Sequence, residues 1–186
     1  MDSKLQIISG VFRGRKLRLP PDARPTQNRA RIALFNMLES GIIDISARMS
    51  VWDVFAGSGA FGLECLSRYT HATVVFTDTS PTSIKTVRDN LTTLSVGVRA
   101  SVVHGDAMAC AKKYAPVTTL AFVDAPYSTP ELGVNFVKKF TQNAIPGTIL
   151  IWEQEITNAF APDLTQWSIL RDKRYGRARF LILEKI

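Results

Sequence analysis

The chain is poor in several residue types, and each shortage closes off a class of protein. Only two cysteines, Cys65 and Cys110, occur in 186 residues. They are too few for a disulfide framework and form no CxxC pair, so both are expected to be reduced and buried. His71 and His104 are the only histidines, no Cys/His cluster has zinc-site spacing, and no metal is expected. No stretch approaches the roughly 18 to 20 consecutive apolar residues that span a bilayer, and the opening MDSKLQIISG lacks the apolar region of a signal peptide. The expectation is a cytoplasmic protein, neither membrane-spanning nor secreted. Internal repeats and low-complexity tracts are also missing.

What is present is the material of a core: 46% hydrophobic against 21% charged residues, which fits a globular domain and not a disordered chain. The length matches one domain of roughly 100 to 200 residues, so residues 1–186 are read as one unit. The excess positive charge, +7 overall, is unevenly placed. Residues 1–40 carry eight basic side chains against Asp2, Asp22 and Glu39, and residues 168–186 carry six against two, while the middle is slightly acidic. Positive charge gathered at both ends points to a polyanionic partner. In VFRGRKLRLP, Arg13, Arg15, Lys16 and Arg18 punctuate apolar residues around Gly14, as on a strand or hairpin whose wet face can lie along phosphates. Arg24 and Arg29 extend the patch.

Along the chain, residues 5–19 read as a β-hairpin bending near Gly14, followed by the turn PPDARPT. Thr26, Gln27 or Asn28 can cap the next helix, in which Ala30, Ala33, Leu34, Met37 and Leu38 form one apolar stripe that Gly41 ends. Residues 1–40 are thus a basic extension of hairpin and helix, and 41–186 the core. From residue 51, apolar runs alternate with helical stretches, the signature of βαβ units around a mostly parallel sheet. Strands are expected at 51–55, 73–77, 100–103, 118–123 and 148–152, with helices at about 60–69, 81–94, 107–114 and 131–142. Two final strands, 167–170 and 180–183, flank RDKRYGRA as an antiparallel hairpin.

Two motifs carry chemistry. In VWDVFAGSGAFGLECLSRY, a hydrophobic strand runs through Gly57-Ser58-Gly59-Ala60-Phe61-Gly62 into a helix, the strand-turn-helix setting that a GxGxxG string needs to hold a nucleotide. Gly57 allows the tight turn, Gly59 allows a ligand close to the backbone, and Gly62 allows helix to pack on strand. About 20 residues on, Asp78 ends the second strand, placed either to accept ribose hydroxyls or to cap a helix. This first motif fits NAD and S-adenosylmethionine alike. The second, Asp124-Ala125-Pro126-Tyr127 at the end of the fourth strand, resembles the [DNS]-P-P-[YFW] tetrapeptide of methyltransferases that modify exocyclic amines of bases. The amine lone pair is delocalised into the ring, so positioning must supply much of the rate. The Asp124 carboxylate and the adjacent Ala125 carbonyl would accept the amine hydrogens, aiming the lone pair at the methyl group. Tyr127 offers a face for a stacked base, and Pro126 fixes its own φ.

Taken together, IISGVFRGRKL, RPTQNRARIALFNML, FAGSGAFGLECLSR, GDAM, DAPY and RYGRARFLILEK resemble the bacterial family that methylates guanine N2 in small-subunit (16S) ribosomal RNA. The resemblance covers nearly the whole chain. It implies a Rossmann-like class I methyltransferase fold, α/β with a seven-stranded mostly parallel sheet whose last strand is antiparallel, and a small N-terminal extension touching RNA. It also implies S-adenosylmethionine as cofactor, and as partner ribosomal RNA or a small-subunit assembly intermediate; a monomer without metal is expected. On this resemblance Asp53 and the loop Phe55, Ala56, Gly57, Ser58 and Gly59 hold the methionine end, Asp78 the ribose and Asp106 the adenine amine, and Thr26 closes the methionine pocket. The chain departs from the family pattern at Ala125, where Pro is usual, and at Phe76, where an acidic residue is usual.

The rival readings are an adenine-N6 methyltransferase, a glutamine methyltransferase acting on release factors, and an RNA-binding assembly module that has lost catalysis. A dehydrogenase lacks its catalytic His, Lys or Tyr-x-x-x-Lys constellation. Trp52, Trp152 and Trp167 are expected in the core, and Glu153 and Glu155 as strand-end surface charges.

Overall fold

A computed structural model describes residues 5–21 and 28–186. Seven strands form one sheet: β1 Met49–Asp53, β2 Ala72–Asp78, β3 Ala100–His104, β4 Leu120–Asp124, β5 Ile149–Glu155, β6 Trp167–Tyr175 and β7 Ala178–Lys185, in the order β3-β2-β1-β4-β5-β7-β6. Strands β1 to β5 pair in parallel, and β7 runs antiparallel to both its neighbours. Helices α1 Asn28–Glu39, α2 Ala60–Arg68, α3 Pro81–Leu94, α4 Ala107–Tyr114 and α5 Pro130–Thr141 surround it. Strand order reverses between β1 and β4, and their carboxyl ends open into the crevice where α/β sheets bind ligands.

The central strands are apolar on both sides, as a covered parallel sheet requires. Val51, Leu120, Phe122, Ile149 and Ile151 face a core with Leu63, Leu66 and Val87, whereas Trp52, Ala121, Val123, Leu150 and Trp152 face another with Ala111, Phe136 and Phe140. All three tryptophans are buried. The indole N–H groups of Trp52 and Trp167 are satisfied by Thr77 Oγ1 and Thr141 Oγ1, which lets these large rings serve as core. Cys65 is buried, but Cys110 is only half-buried.

The N-terminal segment departs from a regular hairpin. Its two arms pair as expected, with an antiparallel bridge of Gln6 and Lys16 and the amides of Leu17, Ile7 and Gly14 donating to the carbonyls of Leu5, Arg15 and Ile7, but residues 8–12 swing out to bond α2. The amides of Ile8 and Ser9 donate to the carboxylate of Glu64 at 2.8 and 2.9 Å, and those of Val11 and Phe12 donate to the Ser67 carbonyl and hydroxyl. The approach is so close that a Cβ at Gly10, whose φ is +81°, would lie 2.0 Å from the Ser67 carbonyl oxygen. The bend therefore spans residues 9–14 and does not centre on Gly14.

Helix α1 is rotated from the expected stripe. Its buried face is Arg31, Leu34, Phe35 and Leu38 with Ala30, while Ala33 and Met37 are half-buried. Phe35 draws the helix round by stacking on Phe61 at 5.3 Å, and Arg31 turns inward toward the buried Glu64, 3.9 Å away. At the other end, β6 continues through Tyr175, so the hairpin turn lies between Tyr175 and Ala178, shorter than RDKRYGRA.

Candidate active site

The carboxyl edge of the sheet gathers four acidic side chains. Asp53 ends β1, Asp78 ends β2, Asp124 ends β4, and Glu153 of β5 stands in register beside Asp124. All four line one cleft of about 1040 Å³, together with Phe55 to Ser58, Asp106, Ala125, Pro126 and Tyr127. The sequence-predicted residues of strand ends and loops thus converge on one cavity, with the exception of Gly59. Ala30, Arg31 and Leu34 of α1 close one side of it. Thr26 lies outside the described residues.

The glycine loop is held from beneath. Gly57 and Gly59 have φ of +53° and +75°, in the left-handed region that glycine adopts without penalty. An added Cβ at Gly57 would meet nothing within 4 Å, whereas one at Gly59 would lie 3.2 Å from Phe76 and Val87. Gly57 is therefore the residue that faces the cleft, and Gly59 packs inward, which corrects the expected division between them. Gly62 fulfils the packing expectation, since its Cβ would fall 2.4 Å from the Phe76 ring. Phe76 is the buried floor under this loop.

Hydrogen bonds fix the carboxylates. Asp78 accepts the Gly57 amide through Oδ2 and the Ser80 amide through Oδ1, both at 2.8 Å. The cap of α3 is Ser80, whose hydroxyl accepts the Ser83 amide, so Asp78 does not cap that helix. Asp53 accepts the Gly62 amide at 3.0 Å. Its burial raises the carboxyl to about 7, with the Gly62 bond opposing and the Asp78 charge adding to the rise. Asp106 caps α4, accepting the Met108 amide through Oδ1 at 2.8 Å while lining the cleft.

Among the described residues no donor meets the Asp124 carboxylate. Burial first, then the neighbouring Glu153 and Asp53, push it well above the usual carboxylate range. An ionisable acceptor left open at a cleft wall is suited to a ligand donor. The Tyr127 hydroxyl donates to Glu153 Oε1 at 3.0 Å, which fixes the ring at the rim. Ala125 is buried, its Cβ 3.2 Å from where a Cβ on Gly133 of α5 would lie, and the Thr129 amide closes the turn onto the Pro126 carbonyl. Packing on α5 thus restrains the turn at Ala125.

Glu153 corrects the sequence reading. It is no surface charge: burial lifts its carboxyl to about 7, opposed by the bond from Tyr127. The strings LAFVD and ILIWE each close four apolar residues with an acid, a likeness that gains meaning only once the sheet pairs them residue for residue. Glu155, by contrast, bonds Arg177 at the rim. Of the expected RNA contacts, Arg13, Arg15, Lys16, Arg18 and Arg29 are exposed, with Arg18 paired to Asp89 at 3.0 Å; Arg24 lies outside the described residues.

Comparison with known proteins agrees with this architecture. Residues 5–184 match the family described as Conserved hypothetical protein 95. Ribosomal RNA small subunit methyltransferase D of Escherichia coli is 33% identical over 98% of this chain and 90% of its own length, and the protein of the same name from Haemophilus influenzae is 29% identical over 93% and 90%. The solved structure of yhhF from Escherichia coli superposes with a TM-score of 0.83 at 31% identity, covering 97% of each chain. At 16% identity, an RNA methyltransferase from Salinibacter ruber, solved with S-adenosyl-L-homocysteine, shares the fold with a TM-score of 0.64 over 87% of this chain and 94% of its own. The chain belongs to the Conserved hypothetical protein 95 family and is a class I methyltransferase resembling ribosomal RNA small subunit methyltransferase D.

Proposed function

We propose that the chain methylates the exocyclic N2 of a guanine in small-subunit ribosomal RNA, using S-adenosylmethionine. The observation that carries this reading is the open Asp124 carboxylate beside Ala125-Pro126-Tyr127, lining the same cleft as the glycine loop. The names of the relatives support the ribosomal substrate. The residues present fit the cofactor: Gly57 presents bare backbone to the cleft, and carboxylates stand at the ends of β1 and β2 and before α4. Asp53 and the loop Phe55–Gly59 would hold the methionine part, Asp78 the ribose and Asp106 the adenine amine. When bound, S-adenosylmethionine supplies a methyl group on a sulfonium, whose C–S bonding pair stays with sulfur as the N–C bond forms.

The protein's own work is positioning and proton handling. Asp124 and the Ala125 carbonyl accept the two amine hydrogens, aiming the lone pair and stabilising the positive charge it gains. The proton the amine sheds passes to Asp124, which burial and the neighbouring Glu153 and Asp53 make more basic than an ordinary carboxylate. Tyr127 stacks on the extruded base, and the basic N-terminal segment, Arg13, Arg15, Lys16, Arg18, Arg24 and Arg29, holds the RNA backbone.

The test is transfer from isotopically labelled S-adenosylmethionine to unmodified small subunits, naked ribosomal RNA and DNA, read by nucleoside mass spectrometry. Labelled N2-methylguanosine is expected, and Asp124→Ala should abolish it while leaving cofactor binding. Label in N6-methyladenine, or near-normal turnover by Asp124→Ala, would overturn the reading.

A further inference from the structure

Glu153 has the geometry of a second base-recognising group. Paired residues of adjacent parallel strands project to the same side of a sheet, about 4.8 Å apart at their backbones, and Asp124 and Glu153 are such a pair. Both line the cleft, and Tyr127 spans from one to the other: it follows Asp124 by three residues and donates its hydroxyl to Glu153 Oε1. This bond engages one carboxylate oxygen of Glu153 and sets its direction, leaving the other for a ligand. The edge of the site that meets a stacked base is therefore two acceptors side by side.

Bases differ in what they can offer to such a pair. In guanine the N2 amine is flanked by N1–H, so two donors point the same way. In adenine and cytosine the amine is flanked by a ring nitrogen bearing a lone pair. A second carboxylate next to the amine acceptor is matched by the first arrangement and repelled by the other two, and sites that pair a buried polar group with a substrate donor reject analogues lacking it strongly. We propose that Glu153 is a specificity-determining residue, its carboxylate accepting guanine N1–H while Asp124 accepts the N2 amine. The inference rests on the guanine-N2 reading above and deepens it. The partial burial of Glu153 sharpens the selection, because a carboxylate withdrawn from water gains less from solvent when its partner is missing.

The probe is 2-aminopurine, which keeps the amine at position 2 and lacks N1–H. Once the methylated guanine is located, small-subunit RNA is built with guanine or 2-aminopurine at that position. The kcat/KM for labelled methyl transfer is then measured for the wild type and Glu153→Gln, whose amide can face either base. The wild type is expected to prefer guanine by about 100-fold or more, as loss of a buried charge-assisted bond implies, and Glu153→Gln to bring that preference to about 10-fold or less. Cofactor binding should be unchanged in the variant. If Glu153→Gln is unfolded, Glu153→Asp, which keeps the charge but withdraws it by one methylene, should also lower the preference. A fall in rate on both substrates at an unchanged ratio would overturn the inference and leave a structural role. A wild type that labels another base would overturn the guanine reading and this inference together.

Discussion

The Asp78 carboxylate accepts the Gly57 amide at 2.8 Å, tying the end of β2 to the glycine turn that follows β1. A second bond from the same carboxylate to the Ser80 amide anchors it to the start of α3. Bonds of this charge-assisted kind contribute about 1.5–3 kcal/mol each. Asp78→Ala is therefore expected to loosen the turn and weaken S-adenosylmethionine binding at least about 10-fold, measured by titration calorimetry, with the far-ultraviolet circular dichroism unchanged. Affinity within twofold of the wild type would show that the loop keeps its shape unaided.

Glu64 is fully buried, accepts Arg68 Nε at 2.8 Å and the amides of Ile8 and Ser9, and faces Arg31. Removing one partner of a buried ionic cluster costs about 3–5 kcal/mol. In urea denaturation, Glu64→Gln should lower stability by that amount, and limited proteolysis should now cut between residues 5 and 21. A loss below about 1 kcal/mol would show that the amide replaces the carboxylate.

Folding raises the Asp53 carboxyl from 3.8 to about 7, so the folded protein keeps a proton that the unfolded chain releases above pH 4. The resulting stabilisation is complete below the unfolded pKa and is lost as pH climbs through 7, on the order of 4 kcal/mol across that window. Asp53→Asn is always neutral and still offers an acceptor to the Gly62 amide. Its thermal midpoint should fall less from pH 5 to pH 8 than that of the wild type. Parallel curves for the two proteins would mean that Asp53 is ionised throughout.

Arg13, Arg15 and Lys16 lie on the exposed side of the N-terminal segment. Reversing Arg15 and Lys16 to Glu should weaken RNA binding and reduce the slope of log Kd against log salt by about 2, one for each phosphate that is no longer neutralised. An unchanged slope would place the RNA elsewhere on the surface.

The fold was legible where burial is symmetric. Strands such as LAFVD and helices opened by Ser80-Pro81 and Thr129-Pro130 announce themselves through apolar runs and caps, and the structure has them within two residues of expectation. Three features were illegible for physical reasons. Edge strand β6 is mostly exposed, so its residues Arg171 to Tyr175 carry no hydrophobic signal. The turn of α1 depends on a charged residue, Arg31, burying itself against Glu64, and composition alone assigns both to the surface. Within the site, Asp124 was visible because a tetrapeptide surrounds it. Glu153 has no local motif, and its meaning arises only when β5 is laid against β4.

Strand β7 is inserted between β5 and β6, and among the described residues β6 pairs with no other strand. During synthesis the ribosome delivers β6 before its partner exists. Until residues 178–185 emerge from the exit tunnel, β5 exposes an unpaired edge bearing Ile149 and Ile151, a surface on which nascent chains associate with one another. Strands β1 to β5, whose carboxyl ends line the acidic cleft, are by then already translated, so the cleft takes shape beside a seam that stays open until β7 is added.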